Sequence, residues 1–421
     1  MFFTIITLIN PSSPFLLNQK SFVNLGLLTI GAYLQKLGWD VDVIDLAGKD
    51  EIKKNDVCTD ASLIGISSTT PQYHIANHIF RLIWLLKEES NREIPVVVGG
   101  PGPTVDPNAY KNSGFDLTVM GEGEIAMNNI AIAVKAGLKL IPQIVHPIPV
   151  SDFDVLPHPN RDLISMEEYN YEIDGFSFTN TITSRGCPYK CAFCCSVDEK
   201  MRMHSATWVI RDINKIRNYG FDGVMFFDDV FTLNSKRLLK ICEYMKKEKM
   251  IYRCFVRGDT TRETLKLLAD TGCIEVGVGV ESGSQKILDT IKKGVTVEQN
   301  MNLVKNAHEF GIKVKAFTIF GLPGENRSTI KETEKWLLEA KPDAYDITIF
   351  TPYPGSDIYN NPDDYAIDWE VGAEYFPYKA AYTPGYRSMV WTPDLTAEEL
   401  DNLREEVDLR VRDTLGIEMP K

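Results

Sequence analysis

No stretch of this sequence is apolar for long enough to cross a bilayer. The apolar run at residues 1–9 breaks at Asn10 and Pro11 and has no basic residues ahead of it. It reads as a buried first strand rather than a leader or a span, and the expectation is a cytoplasmic protein with no membrane span. Basic charge is short as well: 45 Lys and Arg stand against 58 Asp and Glu, a formal net charge of −13. A polyanion rewards clustered cations, and the nearest thing to a basic run, Lys246, Lys247 and Lys249, reads as an exposed helix end. Nucleic acid is therefore not an expected partner. Cysteine is sparse, eight residues in 421. In a reducing compartment thiols stay free, so a close group of them reads as metal ligands and not as disulfides. The six histidines are scattered. His74 and His78 stand four apart on an expected helix, but no neighbouring carboxylate or cysteine completes a metal site. They read as surface or packing residues, as do His146, His158, His204 and His308.

What the chain does have is size and alternation. Its 421 residues exceed one ordinary domain and fit two or three, and an apolar content of 44% lets each bury a core. Across residues 1–136, short apolar runs at 3–9, 40–45, 62–67, 94–98 and 117–120 alternate with helical patterns at 25–37, 72–87 and 124–136. That alternation predicts a parallel sheet with helices on both faces, with ligands beyond the C-terminal strand ends. Residues 137–176 are dense in proline (Pro142, Pro147, Pro149, Pro157, Pro159) and read as a linker. Over 177–358, six strand patterns at 178–184, 223–228, 251–256, 274–280, 313–320 and 345–351 alternate with helices. They predict a partial (β/α)6 barrel, two units short of the full eight. Residues 359–421 form an aromatic-rich segment ending in a helix, opened by Thr396 with Glu399 three residues on as a capping box.

Cys187, Cys191 and Cys194 follow the first barrel strand. Thiolates at this spacing can wrap one corner of a cubane cluster and leave its fourth iron without a protein ligand, the open position a catalytic site needs. A zinc site using Cys195 as fourth ligand, or cysteines buried by coincidence, are the competing readings. Against the first, the adjacent Cys194 and Cys195 cannot easily reach the same metal face. With Phe193 before the last cysteine, the motif resembles the signature of the radical S-adenosylmethionine (SAM) superfamily. The resemblance implies a [4Fe–4S] cluster whose open iron is chelated by SAM. One-electron reduction then yields methionine and a 5′-deoxyadenosyl radical, with electrons from a flavodoxin- or ferredoxin-type donor.

The resemblance continues along the barrel. Asp229, with Asp228 second, stands where the superfamily binds the methionine ammonium, although Phe226-Phe227-Asp228-Asp229 replaces the usual glycine-rich form. Arg257 is the candidate for the methionine carboxylate, or else a salt bridge on the barrel rim. Glu281 and Ser282 resemble the pair that contacts ribose and carboxylate. Ile319 and Gly321 fall in the segment beside the adenine, and Pro354 closes the sixth strand in the same style.

The N-terminal part resembles the cobalamin-binding domain of one large radical SAM subgroup. The likeness rests on Gly26, residues 65–70, Val98-Gly99-Gly100-Pro101, Gly121-Glu122-Gly123-Glu124 and the linker at 156–163. It implies cobalamin contacts from Ser67, Ser68, Thr69, Gly99, Gly100, Gly121 and Glu122. Glycines and hydroxyls at strand ends let a large corrin and its nucleotide tail lie against the backbone. No Asp-x-His-x-x-Gly segment offers a lower axial histidine, and Gly102 stands where the subgroup often has His.

The expected fold is thus α/β: a Rossmann-like cobalamin-binding-type domain, a linker, a partial radical SAM barrel and a short C-terminal helical segment. The implied function is that of an enzyme, a cobalamin-dependent radical SAM methylase acting on an unactivated centre of a small organic substrate. A cobalamin-linked oxidoreductase or cyclase without methyl transfer is the alternative, and a non-catalytic corrinoid- or SAM-binding sensor a further one. A methylthiotransferase needs three N-terminal cysteines, whereas only Cys58 precedes the motif; relatives with auxiliary clusters need later cysteines, and none follows Cys273. In the tail, Trp369, Tyr375, Phe376, Tyr378, Tyr382 and Trp391 read either as a cap over substrate or as packing.

Overall fold

The computed structural model describes residues 5–13, 16–195, 200–376 and 387–418. The chain divides into two units, Met1–Tyr171 and Glu172–Lys421. The stretch expected as a linker therefore belongs largely to the first unit.

The first unit is a six-stranded sheet. Its elements are β1 (Ile5–Asn10), α1 (Leu25–Lys36), β2 (Asp40–Asp45), β3 (Leu63–Ser67), α2 (Tyr73–Ser90), β4 (Val96–Gly99), α3 (Pro101–Val105), α4 (Pro107–Asn112), β5 (Leu117–Val119), α5 (Gly123–Lys135) and β6 (Gln143–Val145). The order is β2-β1-β3-β4-β5-β6, with every neighbouring pair parallel. The described part of the N-terminal apolar run lies in the buried strand β1, with Ile6, Leu8 and Ile9 at most 3% exposed. On α2 the buried residues Ala76, Ile79 and Ile83 recur at three- and four-residue spacing, the stripe that holds a helix against a sheet. β6 was not foreseen: three residues between Pro142 and Pro147 are too short for any period, and only pairing to β5 makes them a strand. Because the chain leaves β1 first toward β2 and then crosses to β3, the order reverses at β1/β3, where open α/β sheets bind ligands.

The second unit contains β7 (Tyr171–Ile173), β8 (Phe176–Thr181), β9 (Ser184–Arg185), β10 (Arg202–Met203), α6 (Ala206–Asn218), β11 (Gly223–Phe226), α7 (Ser235–Glu248), β12 (Ile251–Val256), α8 (Arg262–Asp270), β13 (Cys273–Glu281), α9 (Gln285–Thr290), α10 (Val297–Glu309), β14 (Lys313–Phe320), α11 (Arg327–Ala340) and β15 (Ala344–Ile349). The tail adds α12 (Asp357–Asn360), α13 (Pro362–Tyr365), β16 (Asp368–Trp369), β17 (Val390–Trp391) and α14 (Ala397–Leu415). The sheet runs β15-β14-β13-β12-β11-β8-β7, and its six barrel strands, β8 to β15, are parallel and in chain order. This is the partial barrel expected. One strand differs: the pattern over 178–184 breaks after Thr181, and β9 turns off to pair antiparallel with β10.

Burial alternates along the barrel strands. On β14, Val314, Ala316, Thr318 and Phe320 are buried, whereas Lys313, Lys315, Phe317 and Ile319 keep partial exposure on the other face. Val314, Ala316 and Phe320 join Leu303, Ile330, Trp336 and Leu337 from the helices in one apolar core. The C-terminal helix opens on its capping box: Thr396 Oγ1 accepts from the Glu399 N–H at 3.2 Å, and the Glu399 carboxylate accepts from the Thr396 N–H at 3.0 Å. It buries Arg404, Asp408 and Arg412, with Arg404 Nε donating to the Ile347 carbonyl of β15 at 3.1 Å. Among the described residues no helix is long and apolar enough to cross a membrane.

Candidate functional site

The cysteine segment leaves β9 through Gly186, whose φ of +90° turns the chain outward. Ala192, fully buried, plugs the middle of the segment into the core. Its N–H donates to the Ile291 carbonyl at 2.8 Å, and its carbonyl accepts from the Ile358 N–H at 3.0 Å. The thiols stay accessible around this plug, Cys187 and Cys191 half-buried and Cys194 exposed. Burial pushes the Cys187 thiol up; a hydrogen bond from the Tyr189 N–H opposes this, Asp229 and Cys191 add to it, and Arg257 opposes it. Three soft donors on an exposed loop, one sulfur receiving a backbone N–H, suit an iron–sulfur cubane. Among the described residues no three His, Cys, Asp or Glu side chains converge on a single metal-ion position. A cubane does not require that, since each thiolate binds a different iron. Cys195 is half-buried with its thiol pushed up by burial, and Cys242, Cys254 and Cys273 lie in the core as packing residues.

The two aspartates at the end of β11 separate cleanly. Asp228 is buried and its carboxylate accepts from the Thr183 N–H at 2.5 Å, the Ser184 N–H at 3.1 Å and the Thr183 hydroxyl. Those bonds leave it little capacity for an ammonium. Asp229 faces outward, and the walls around it, together with the Asp228 charge, push its carboxyl up. Its charge is felt at both Cys187 and Cys195. Arg257 makes an ion pair on the rim: Nε lies 3.3 Å from Asp259, the guanidinium stacks 3.6 Å from the Tyr189 ring centroid, and an NH2 donates to the Lys293 and Gly294 carbonyls at 2.8 and 3.2 Å.

Glu281 sits at a bulge where the β13–β14 register shifts, and its φ of +60° is a strained value for a residue with a side chain. Its carboxylate pairs with Lys293 at 2.6 Å, both side chains under a tenth exposed. The Lys293 ammonium also stands 5.7 Å from the Phe193 ring centroid, so this lysine links the Glu281 strand end to the cysteine loop. Sequence reading missed Lys293, which looks like any lysine after a short helix. Ser282 is buried, 3.2 Å from the Thr333 hydroxyl, and accepts from the Ser284 N–H at 3.1 Å. Ile319 is half-buried, while Gly321 (φ +81°) and Pro354 are buried. A Cβ at 321 would lie 3.2 Å from Val390 and Leu400, so the tail covers that glycine.

On the barrel face away from the helices, the rings of Phe227, Phe255 and Phe317 form a chain, with centroids 5.7 and 6.1 Å apart. Gly277 leaves room for them, since a Cβ there would lie 2.8 Å from Phe255 and 3.1 Å from Phe317. Lys315 and Asp346 pair at 3.0 Å on the same half-exposed face. The sequence motifs pointed to none of these three rings as a surface. In the tail, Trp369 stacks on Tyr359 at 5.6 Å, so at least this ring packs; Tyr378 and Tyr382 lie outside the described residues.

In the first unit the residues expected at cobalamin divide. Ser68 is fully buried and shares its hydroxyl with Tyr110 at 2.9 Å. The Thr69 hydroxyl bonds Gln72 at 3.0 Å, and Glu122 accepts from the Val150 N–H at 2.6 Å. All three are committed within the unit. Ser67, Gly99, Gly100 and Gly121 remain partly exposed at the strand ends. The Ser67 oxygen accepts from Asn24 at 3.1 Å, which leaves its proton free to donate. Gly100, at φ +109°, lies so close to the next strand end that a Cβ would come 2.7 Å from the Ser68 carbonyl. A Cβ at Gly102 would come 2.3 Å from the Tyr110 hydroxyl, so Tyr110 excludes a side chain where the subgroup often has His. A glycine-walled edge with one free hydroxyl at a switch point fits a flat ligand with a polar tail.

His74 and His78 line a polar cavity of about 320 Å³ with Tyr73, Asn77, Arg81 and Ser113. Its described lining holds no carboxylate or thiol. A second cleft of about 460 Å³ runs between α11 and α14, lined by Arg327, Glu334, Leu403 and Arg410 among others, and includes no residue expected at the site.

Residues 181–337 match the radical SAM superfamily and residues 19–131 match the B12 binding domain. An uncharacterised methyltransferase of Pyrococcus horikoshii is 32% identical over 354 residues, covering 78% of this chain and 75% of that protein. The anaerobic magnesium-protoporphyrin IX monomethyl ester cyclase of Rubrivivax gelatinosus is 26% identical over 367 residues, covering 79% of this chain and 64% of the cyclase. Among solved structures, the radical SAM methyltransferase TsrM of Kitasatospora setae, with cobalamin and a [4Fe–4S] cluster bound, superposes with a TM-score of 0.71. At 16% identity, over 98% of this chain and 89% of TsrM, it shares the fold.

Proposed function

The chain belongs to the radical SAM superfamily, in the branch that carries a B12-binding domain ahead of the barrel, and from that premise we propose that it methylates an unactivated centre of a small organic substrate. It is an enzyme whose cofactors are a [4Fe–4S] cluster, SAM and cobalamin. When bound, the reduced cluster supplies the electron that cleaves SAM to a 5′-deoxyadenosyl radical, and cobalamin supplies a transferable methyl group.

The residues of this chain take the following parts. Cys187, Cys191 and Cys194 hold the cluster. Asp229, the outward carboxylate, receives the methionine ammonium through charge-assisted hydrogen bonds. Lys293, whose ammonium has donors beyond its bond to Glu281, shares the methionine carboxylate with Arg257, whose Nε and one NH2 are engaged by Asp259 and two carbonyls. Glu281 stands toward the ribose, with Ser282 buried behind it against Thr333; Ile319 and Phe193, both half-buried, offer apolar cover for the adenine, with the Gly321 and Pro354 turns holding that wall. Phe227, Phe255 and Phe317 form an apolar shelf for the substrate. In the first unit Ser67, Gly99, Gly100 and Gly121 face the corrin, with Ser68, Thr69 and Glu122 shaping the edge behind them. The enzyme works in the cytoplasm and draws electrons from a flavodoxin- or ferredoxin-type donor.

The observation that carries this reading is the loop itself: three accessible thiols around a buried Ala192, beside an outward Asp229, in a chain that also bears a B12-binding domain. The test is anaerobic reconstitution with iron, sulfide and hydroxocobalamin, then reduction in the presence of methyl-labelled SAM and a small-molecule extract. The bound fraction should keep the corrin absorption, 5′-deoxyadenosine should form, and label should enter an organic product. The cyclase relative favours a second reading, radical oxidation or ring closure without methyl transfer. Retained corrin and 5′-deoxyadenosine, with label found only in SAM, in the methionine cleaved from it and on the corrin, would select it.

A further inference from the structure

The cysteine loop is closed at its base by two short strands, Ser184–Arg185 and Arg202–Met203, paired through Ser184↔Met203 and Arg185↔Arg202. A ribbon this short does not hold itself together in water. What holds it is a buried polar knot formed by other parts of the second unit. Asp228, at the end of the neighbouring strand, grips the N-terminal stem by accepting from two consecutive N–H groups and the Thr183 hydroxyl. Arg237, from the first turn of α7, grips both stems. Its Nε donates to the His204 carbonyl at 2.7 Å, and one NH2 donates to the Thr183 carbonyl at 2.9 Å and to the Thr183 hydroxyl. The His204 N–H closes the ring by donating to the Thr183 carbonyl at 3.0 Å. The Thr183 hydroxyl thus receives from Arg237 and donates to Asp228, linking cation to anion. The His204 ring lies flat on Trp208, with centroids 3.5 Å apart at 9°, which fixes the outgoing stem against α6.

We propose that Asp228 and Arg237, joined through Thr183, are positioning residues that clamp both stems of the cluster loop and so set the placement of Cys187, Cys191 and Cys194. The same clamp holds the Asp228 side chain inward, which leaves its neighbour Asp229 outward for the co-substrate. Burial pushes the Asp228 carboxyl up, and the Arg237 guanidinium is the cation that opposes this and favours its charged form. The residues that orient metal ligands from behind commonly change metal affinity or activity by about ten-fold or more when removed.

The inference rests on reading the loop as a cluster site, and its test separates the two. Wild-type chain and the variants Asp228→Asn, Arg237→Gln, Thr183→Val and Thr183→Ser are reconstituted anaerobically. Iron per chain, the electron paramagnetic resonance spectrum of the dithionite-reduced cluster with and without SAM, and the KM for SAM in 5′-deoxyadenosine formation are then compared. Asp228→Asn and Arg237→Gln should lower iron content or alter the SAM-free spectrum and raise KM about ten-fold. Thr183→Val should do the same more mildly, and Thr183→Ser, which keeps the hydroxyl, should restore the wild-type spectrum. Asp229→Asn should raise KM and leave the SAM-free spectrum unchanged. Wild-type iron content, spectrum and KM in Asp228→Asn and Arg237→Gln would overturn the clamp, as would Thr183→Ser behaving like Thr183→Val. Should the charged-residue variants fail to fold, the threonine pair decides alone. A wild-type chain that takes up no cluster overturns the radical SAM reading of the loop instead.

Discussion

Glu325 offers the sharpest test of the second unit's energetics. It follows β14 in the turn Gly321-Leu322-Pro323-Gly324-Glu325 and is fully buried. Its carboxylate accepts from the Gly321 and Leu322 N–H groups, and its other oxygen has no partner among the described residues. Burial outweighs the two donors and pushes the carboxyl from 4.5 up to about 8. The sign follows from linkage. With the folded value raised, the folded state keeps a proton that the unfolded chain releases, so the contribution is complete below pH 4.5 and is lost as pH rises through about 8. At about 1.4 kcal/mol per pH unit, the whole window corresponds to roughly 5 kcal/mol. Glu325→Gln cannot ionise, so it should match wild type within about 1 kcal/mol at low pH and exceed it by several at high pH. The measurement is the urea midpoint and slope of both proteins at a series of values between about pH 5 and pH 9. A stability difference that stays flat across the series would show that the carboxyl ionises at its ordinary value, and the desolvation argument would be wrong.

Other expectations follow from single contacts. Lys293→Met strands the buried Glu281 carboxylate and should cost about 3–5 kcal/mol, most of it recovered in Glu281→Gln/Lys293→Met; equal urea midpoints for single and double variants would refute the coupling. Asp408→Asn removes the countercharge shared by Arg404 at 3.5 Å and Arg412 at 2.9 Å and should cost about 3 kcal/mol by the same measurement. Gly283→Ala would place a Cβ 2.6 Å from the Glu332 carbonyl and 2.7 Å from Trp336, an overpacking worth about 1–3 kcal/mol in chemical denaturation. Gly100→Ala meets both a left-handed φ and the Ser68 carbonyl, and should lower the fraction of corrin retained after desalting while the cluster loads normally.

Much of the architecture was legible because it is written in local patterns. Strands β2, β12 and β14 fall on the residues their apolar runs mark, and the helices follow three- and four-residue apolar spacing to within a few positions. The cysteine group was legible for the same reason, since three thiols within eight positions need no knowledge of the rest of the chain. The exceptions are informative. β6 has no period to read, and β9 continues an apolar-then-polar run that only its pairing with β10 pulls out of the barrel. Tyr110 occupies the space beside Gly102 from a helix that no motif connects to it.

By itself the sequence determined the α/β plan, the grouping of Cys187, Cys191 and Cys194 and the family, because spacing, alternation and residue chemistry are properties of neighbouring positions. The tertiary structure decided how the polar groups were shared out. Asp228 and Asp229 are adjacent and chemically identical, yet one is consumed by Thr183 and Ser184 from about 45 residues away and the other is left open. Glu281 acquires Lys293, Arg257 is drawn to Tyr189, and Ser68 is turned to Tyr110. Each buried polar group must be satisfied by whichever partner the packing brings within reach, and that partner is set by the fold and not by the neighbours in sequence.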